Sequence, residues 1–534
     1  MNLTVINALL DDLGQSGFQL TDQMFEILMV EKWQKPYVRS SFRRQRNLET
    51  EMQFVIKPEK KEIASKSYAE LKRDSERFSC VLEKLGEQGN HVAITGMTSY
   101  TWLTAYLGTV NSASVAVPLD VSLPAEEMCE LIHRADAMVF VVDEIRRDVA
   151  AIVKERCPKL KYLISMQKEE SDEEALSFWK LVEEAEDICK IIPSPEDLCT
   201  IMFTSGTTGK SKGVMLTHRN LAENATCLDM KLPKRTVVLS VLPVHHAYCL
   251  TMDILKGMTL GAIICINDSL LRVAKNIKLF QPNMILMVPL MIETMAKKLE
   301  DAAGLPPEIV KKEVFGENFH TICSGGAYLN PSYIDLFQRY GITILQGYGM
   351  TECAPVISTT VPWNIRKESV GQLIPNCEAK TVDKELWVRG SSVMKGYYKM
   401  PEETAEALTE DGWLRTGDLG YVDEEGFVYL TGRKKNLIIT KNGENVSPEE
   451  LENKIGEHRL VQEILVRESN GVIEAEIFPD YEYAKKKEIT EIQAVLQEVV
   501  DDYNKTAPAH KRVYSLKVRE TEFEKTSSKK IKRY

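Results

Sequence analysis

The sequence contains no apolar run long enough to cross a bilayer. One long uncharged stretch, Thr236 to Met252, carries Pro243, His245 and His246 and is ended by Asp253. No two of the eleven cysteines are spaced C-x-x-C, only eight histidines are present, and no Cys/His cluster has ligand spacing, which argues against a zinc site. The cysteines are odd in number and sit in apolar runs such as Ile264-Cys265-Ile266. With no basic-then-apolar leader at the start, they read as reduced thiols of a cytoplasmic protein. Basic charge is not in excess: 67 Lys and Arg against 78 Asp and Glu give a net charge of −11, which disfavours nucleic acid or an anionic membrane as main partner. Glycine (29) and proline (21) are not enriched, excluding collagen-like and low-complexity classes. No internal repeat is visible, and no G-x-S-x-G element accompanies the histidines, so hydrolase chemistry has no support.

What is present is an ordinary globular composition, 44% hydrophobic and 27% charged, on 534 residues, enough for several domains. Residues 1–60 form an N-terminal extension of unclear role, with a short amphipathic stretch at Ile6 to Leu13 and a basic one at Ser40 to Arg46. From Tyr68 onward helical periodicity alternates with short apolar strands. Helices are expected over Ala69 to Leu85, Tyr100 to Val110 and Glu126 to Ala135. Strands are expected over His91 to Thr95, Val115 to Leu119, Met138 to Asp143, Val237 to Leu242, Ile263 to Ile266, Met284 to Val288 and Thr321 to Ser324. This order predicts an α/β fold: a large N-terminal body of mostly parallel sheets covered by helices. Beyond about residue 370, Glu385 to Gly390 and Gly426 to Leu430 read as antiparallel strands of a β-rich subdomain. The last ~100 residues read as a small α+β C-terminal domain. The polar stretch Gly432-Arg433-Lys434-Lys435-Asn436 sets the boundary, giving 61–432 as the large domain and 433–534 as the small one.

One loop carries unusual chemistry. An apolar strand at Ile201-Met202-Phe203 runs into Thr204-Ser205-Gly206-Thr207-Thr208-Gly209-Lys210-Ser211-Lys212-Gly213. Glycines let backbone N–H groups approach an anion, hydroxyls add donors and lysines add charge, so the loop suits phosphate. Gly209-Lys210-Ser211 also fits the end of a Walker A pattern. However, Thr204 stands where that pattern needs glycine, and Lys212-Gly213-Val214 is a poor start for the required helix.

The loop resembles the signature of the AMP-forming adenylating superfamily, which holds acyl-CoA synthetases, luciferases and peptide-synthetase adenylation domains. Ser211 replaces the usual proline. Further segments are similar to the family's motifs in order and spacing: Leu107 to Asp120, Leu242 to His246, Ser324 to Ala327, Gln346 to Glu352, Gly412 to Asp418, Gly432 to Asn436 and Lys525 to Lys530. The resemblance covers residue 65 or so to the end, and it implies a mobile C-terminal lid.

It also implies ATP, Mg²⁺ and CoA as reactants and a role for each matched residue. Thr204, Ser205, Gly206, Thr207, Thr208, Gly209 and Lys212 would cradle the β- and γ-phosphates. Gly326, Ala327, Gly347 and Tyr348 would hold adenine. Thr351 would donate to the α-phosphate, and Glu352 would ligate Mg²⁺. Asp418 and Arg433 would bind ribose. His246 would line the acyl site, with His245 a bystander. Lys435 would be the hinge, and its rotation would exchange the terminal lysine for the loop Lys441 to Asn445. Lys530 would be the catalytic lysine. Glu524 and Lys529 depart from the family's Pro and Gly, so Lys529 stays an alternative.

The resemblance leans to the long-chain fatty acyl-CoA synthetases around Gly432 to Glu452, and Met284 to Met291 is Met-rich and apolar, as suits a flexible apolar acid. Asp253 lies where an amino-acid-activating domain would pair an amine. No carrier domain is evident after Lys530, so the acceptor is an external thiol: CoA, or an acyl carrier protein as the alternative. A catalytically silent nucleotide-binding protein is the reading from a different class.

Overall fold

Ser67 starts the first long helix by two reciprocal bonds: its hydroxyl accepts from the Glu70 amide, and the Glu70 carboxylate accepts from the Ser67 amide at 2.8 Å. The helix, Tyr68–Leu85, packs against Tyr100–Asn111. The crossing is tight at Gly108, where an added Cβ would lie 2.8 Å from both Phe78 Cδ1 and the Ser75 carbonyl oxygen. This pair is sandwiched between two sheets. Tyr106 shares a hydrogen bond with Thr200 of one sheet at 2.9 Å, and Tyr68 donates to the Ala262 carbonyl beside the other at 2.9 Å. Phe78, Trp102, Tyr106 and Phe178 are fully buried in the resulting core, which is continuous across both sheets. The computed structural model describes residues 53–56, 64–86, 89–185, 191–204, 211–233, 235–440, 443–525 and 531–533.

The eight-stranded sheet has its parallel strands in the order Leu198–Thr204, Val115–Leu119, His91–Thr95, Val139–Val142, Tyr162–Ser165 and Leu176–Ser177. Lys212–Thr217 and Gly396–Tyr397 add antiparallel to the Leu198–Thr204 edge. The nine-stranded sheet places Thr343–Gly349, Thr321–Ser324, Met284–Met287, Val237–Ser240, Ile263–Ile266 and Gln53–Ile56 parallel, with antiparallel strands at both edges. The Gln53–Ile56 strand lies within the stretch where the sequence shows no pattern; four residues are too few for a period to stand out.

Four antiparallel strands, Cys377–Val382, Glu385–Gly390, Leu414–Val422 and Val428–Arg433, form the β-rich part. The C-terminal part has three strands, Val461–Ser469, Val472–Pro479 and Ser515–Val518, backed by helices Pro448–Ile455 and Ile492–Thr506. Its core, including Leu451, Val466, Ile477 and Leu496, is separate from the main one. It meets the Pro289–Asp301 helix through ion pairs: Lys297 with Asp480 at 2.8 Å, Arg459 with Glu300 at 2.9 Å, and Lys486 with Asp301. Among the described residues no helix is long and apolar enough to cross a membrane, and the described cysteines are free thiols.

Candidate active site where three sheets meet

In open α/β sheets the carboxyl ends of parallel strands are where ligands gather. The loop singled out by sequence leaves the carboxyl end of Leu198–Thr204 and returns as the strand Lys212–Thr217, with Thr204 directly opposite Lys212. A strand after the loop excludes the Walker geometry, which needs a helix there. Ser205, Gly206, Thr207, Thr208 and Gly209 lie outside the described residues. The stem is held from the side: Arg134 Nη2 donates to the Ser211 carbonyl at 2.6 Å. The Lys212 ammonium lies 4.8 Å from the centroid of the Tyr397 ring.

Glu352 sits in the short helical turn Thr351–Cys353 beyond the Thr343–Gly349 strand. That strand bulges between Tyr348 and Gly349, and a Cβ on Gly349 would lie 2.0 Å from the Pro355 carbonyl oxygen, so only glycine fits. The buried Glu352 accepts at Oε1 from the Tyr397 hydroxyl at 2.8 Å. Thr351 heads the same turn. The Tyr348 hydroxyl donates to Asp418 Oδ2 at 2.7 Å, and Asp418 Oδ1 pairs with Arg433 Nε at 2.6 Å. Asp418 and Arg433 face each other across the Leu414–Val422 and Val428–Arg433 strands. Tyr348, near the end of the Thr343–Gly349 strand, and Glu352, in the following turn, are four positions apart, which joins the two clusters; burial pushes the thiol of Cys353, in the same turn, well up. Lys212, Glu352 and Thr351 therefore share one neighbourhood with Tyr348, Asp418 and Arg433. They are contributed by the eight-stranded, nine-stranded and four-stranded sheets.

Gly326 and Ala327 follow the Thr321–Ser324 strand, and Gly347 lies on the adjacent strand, its Cβ position 3.8 Å from the Ser324 carbonyl oxygen. The Tyr248 ring lies against this turn, 3.0 Å from where a Gly325 Cβ would stand. His246 is exposed, its ring centroid 4.1 Å from that of His245. His245, treated as a bystander in the sequence, faces Asp120 at 3.7 Å, with its side chain 8% exposed. Burial, and then the neighbouring His246, push its imidazole down to about 3, so the ring is neutral. Asp253 is fully buried and accepts from the Ser240 hydroxyl at 3.0 Å. Burial raises it to about 7.

Lys435 lies in the short turn Lys434–Asn436; burial, Arg433 and Arg533 hold its ammonium below the usual range. Lys529, Lys530, Lys441 and Asn442 lie outside the described residues. The chain on either side of 526–530 is fixed. Lys525 and Ile531 form an antiparallel bridge, the Lys532 amide donates to the Glu524 carbonyl at 2.8 Å, and Arg533 Nη1 donates to Glu452 at 2.8 Å.

The donor set fits magnesium. No group of three or more His, Cys, Asp or Glu is poised for a metal among the described residues. A Mg²⁺ held mainly by substrate phosphates and water needs only one or two carboxylates, and Glu352 would be the one to hold it here. Sequence reasoning missed Tyr397 and Arg134. Neither belongs to a loop rich in glycine or charge, and only the pairing of Gly396–Tyr397 onto Lys212–Thr217 reveals the first.

Comparison with known proteins identifies the family and the fold. The AMP-binding enzyme family matches residues 42–398, and an AMP-binding enzyme C-terminal domain matches residues 435–534. A 4-coumarate–CoA ligase-like protein 6 of Arabidopsis thaliana is 35% identical over 288 residues, 49% of each chain. A long-chain-fatty-acid–CoA ligase of Escherichia coli O157:H7 is 33% identical over 291 residues, 49% of each chain. The long-chain-fatty-acid–CoA ligase ACSBG1 of Rattus norvegicus is 27% identical over 435 residues, 69% of this chain and 60% of that one. The chain thus spans about half the length of the first of these curated relatives. In fold it is similar to an anthranilate CoA ligase crystallised with anthranoyl-AMP, at TM-score 0.79 and 20% identity, covering 96% of this chain and 95% of that one. It is also similar to ATP-bound MatB from Rhodopseudomonas palustris, at TM-score 0.76 and 24% identity, covering 95% and 96%. With a family match over more than half its length, this chain belongs to the AMP-binding enzyme family.

Proposed function

We propose that the protein activates a carboxylic acid with ATP and passes the acyl group to the thiol of CoA. In the first step a carboxylate oxygen attacks the α-phosphorus of ATP, the bond to the bridging oxygen breaks, and pyrophosphate leaves. In the second the thiol sulfur attacks the acyl carbon, and AMP leaves as the thiol loses its proton. Catalysis of the first step is chiefly alignment plus fixed positive charge. Lys212 and the Thr204–Gly209 loop receive the β- and γ-phosphates, Thr351 the α-phosphate, and Asp418 with Arg433 the ribose. Tyr348, Gly326, Ala327 and Gly347 frame the adenine, and His246 stands at the acyl entrance. Mg²⁺ bound at Glu352 would neutralise phosphate charge. Lys530 completes the site from the C-terminal domain, 433–534, which turns about Lys435.

The observation that carries this reading is the junction of Lys212, Tyr397 and Glu352 with Tyr348, Asp418 and Arg433. The acid we propose is a fatty acid. The long-chain ligases among the relatives and the apolar Met284–Met287 strand support it. The free thiols suit a cytoplasmic, reducing setting. Pyrophosphate exchange into ATP, run with a panel of fatty, aromatic and amino acids and then repeated with CoA, tests the proposal. Exchange with none of them refutes it, and exchange only with amino acids would refute the fatty-acid assignment.

A further inference from the structure

Lys212 and Glu352 carry opposite charges at the same seam, yet among the described residues no ion pair joins them. Tyr397 stands between. Its hydroxyl donates to Glu352 Oε1 at 2.8 Å, and its ring lies 4.8 Å from the Lys212 ammonium. The ring is 7% exposed and rigidly supported. Tyr397 opposes Val214 across the sheet, its amide donates to Thr404 Oγ1 at 2.9 Å, and the next amide, Tyr398, donates to the Gly213 carbonyl at 2.8 Å. Gly396 adopts φ of +143°, and a Cβ there would lie 2.8 Å from Thr404 Cγ2, so the backbone is committed to this path.

A tyrosine that merely fills core needs one acceptor for its hydroxyl, and a neutral carbonyl would serve. Here the acceptor is a carboxylate, and a cation covers the ring. If lysine and glutamate met directly, each would satisfy the other, and both would have to be separated before an anion and a divalent cation could be bound. An intervening phenol removes that competition. The ring quadrupole holds the ammonium without consuming its N–H donors, and the hydroxyl fixes one carboxylate oxygen while leaving the second to a metal.

We propose that Tyr397 is a positioning residue that keeps Lys212 and Glu352 unpaired and aimed, the first at the ATP phosphates and the second at their magnesium ion. The inference rests on the reading that ATP binds at this seam. Titration calorimetry with the full chain tests it, using ATP with excess Mg²⁺ and ATP with EDTA. Tyr397→Phe keeps the ring and loses the hydroxyl. It should leave metal-free ATP affinity within about twofold of wild type and cut the gain in affinity conferred by Mg²⁺ by roughly tenfold, the usual scale for a lost partner of a metal-binding carboxylate. Tyr397→Leu loses both contacts and should weaken metal-free ATP as well, by several-fold. In a Glu352→Gln background, adding Tyr397→Phe should change nothing further. Equal loss for ATP with and without Mg²⁺ in Tyr397→Phe, or full additivity with Glu352→Gln, overturns the proposal. A wild-type protein that binds ATP under neither condition instead overturns the reading of the site.

Discussion

Asp418 offers the sharpest test of the nucleotide site. Its two oxygens are already engaged, one by Arg433 Nε at 2.6 Å and one by the Tyr348 hydroxyl at 2.7 Å, and its side chain is buried. Asp418→Asn can keep both contacts. The amide oxygen turns to the guanidinium, and the Tyr348 hydroxyl rotates to accept from the amide nitrogen. Loss of charge assistance then costs the fold about 1 kcal/mol. The ribose is treated differently, because a sugar hydroxyl needs an acceptor and a carboxylate supplies spare lone pairs on both oxygens. One or two such charged hydrogen bonds lost amount to about 2–4 kcal/mol, or roughly 30- to 1000-fold in the dissociation constant of ATP. The assay is a cycle: wild type and Asp418→Asn, each titrated with ATP, 2′-deoxy-ATP and 3′-deoxy-ATP. Wild type should discriminate against at least one deoxy analogue, and the variant should lose most of that discrimination. A variant that weakens all three nucleotides by one common factor would show that Asp418 acts only through Arg433 and Tyr348, and the ribose assignment would fall.

Lys530→Ala should lower pyrophosphate exchange by about 10²–10³, the scale for one preorganised charge; if Lys529→Ala alone does so, the register of the terminal motif shifts by one. Arg134→Ala, which frees the Ser211 carbonyl, should raise KM for ATP severalfold and leave KM for the acid unchanged, as initial-rate kinetics would show. His218, buried with both ring nitrogens unpartnered among the described residues, is pushed down to about 4 by burial, so the unfolded state takes up its proton first. Its contribution, about 3 kcal/mol, is complete above pH ~6.5 and lost as the pH falls toward 4. Asp253, raised to about 7 by burial, loses stability as the pH rises through nearly the same window, so wild type alone conceals the effect. Thermal melts of His218→Leu against wild type from pH 7.5 to 4.5 should show the variant gaining relative stability toward acid, and a constant gap refutes the assignment.

Much of this architecture is legible in the residues. The strand expected over Met284 to Val288 forms as Met284–Met287, and the helix expected over Tyr100 to Val110 ends one residue later, at Asn111. Buried parallel strands announce themselves by unbroken apolar runs, and glycine-rich turns by their conformational needs. What stays hidden is lateral pairing. Nothing near Lys212 in the chain names Tyr397, 185 positions away, and nothing in two adjacent histidines tells which one turns inward; His245 does, facing Asp120 just beyond the Val115–Leu119 strand. The double engagement of Asp418 is likewise a consequence of register, visible only once the Leu414–Val422 and Val428–Arg433 strands are aligned.

A pocket assembled from the rims of three sheets is held together by contacts between distant parts of the chain. Its contacts close long loops: 70 residues separate Tyr348 from Asp418, and 45 separate Glu352 from Tyr397. Each closure costs chain entropy that the contacts at the seam must offset, as the still longer closures within the layers also must, the Tyr68 to Ala262 bond spanning 194 positions. A bound nucleotide would then act as a rivet through all three layers. At a hundredfold excess over its dissociation constant it would add about 2.7 kcal/mol to the stability of the folded molecule.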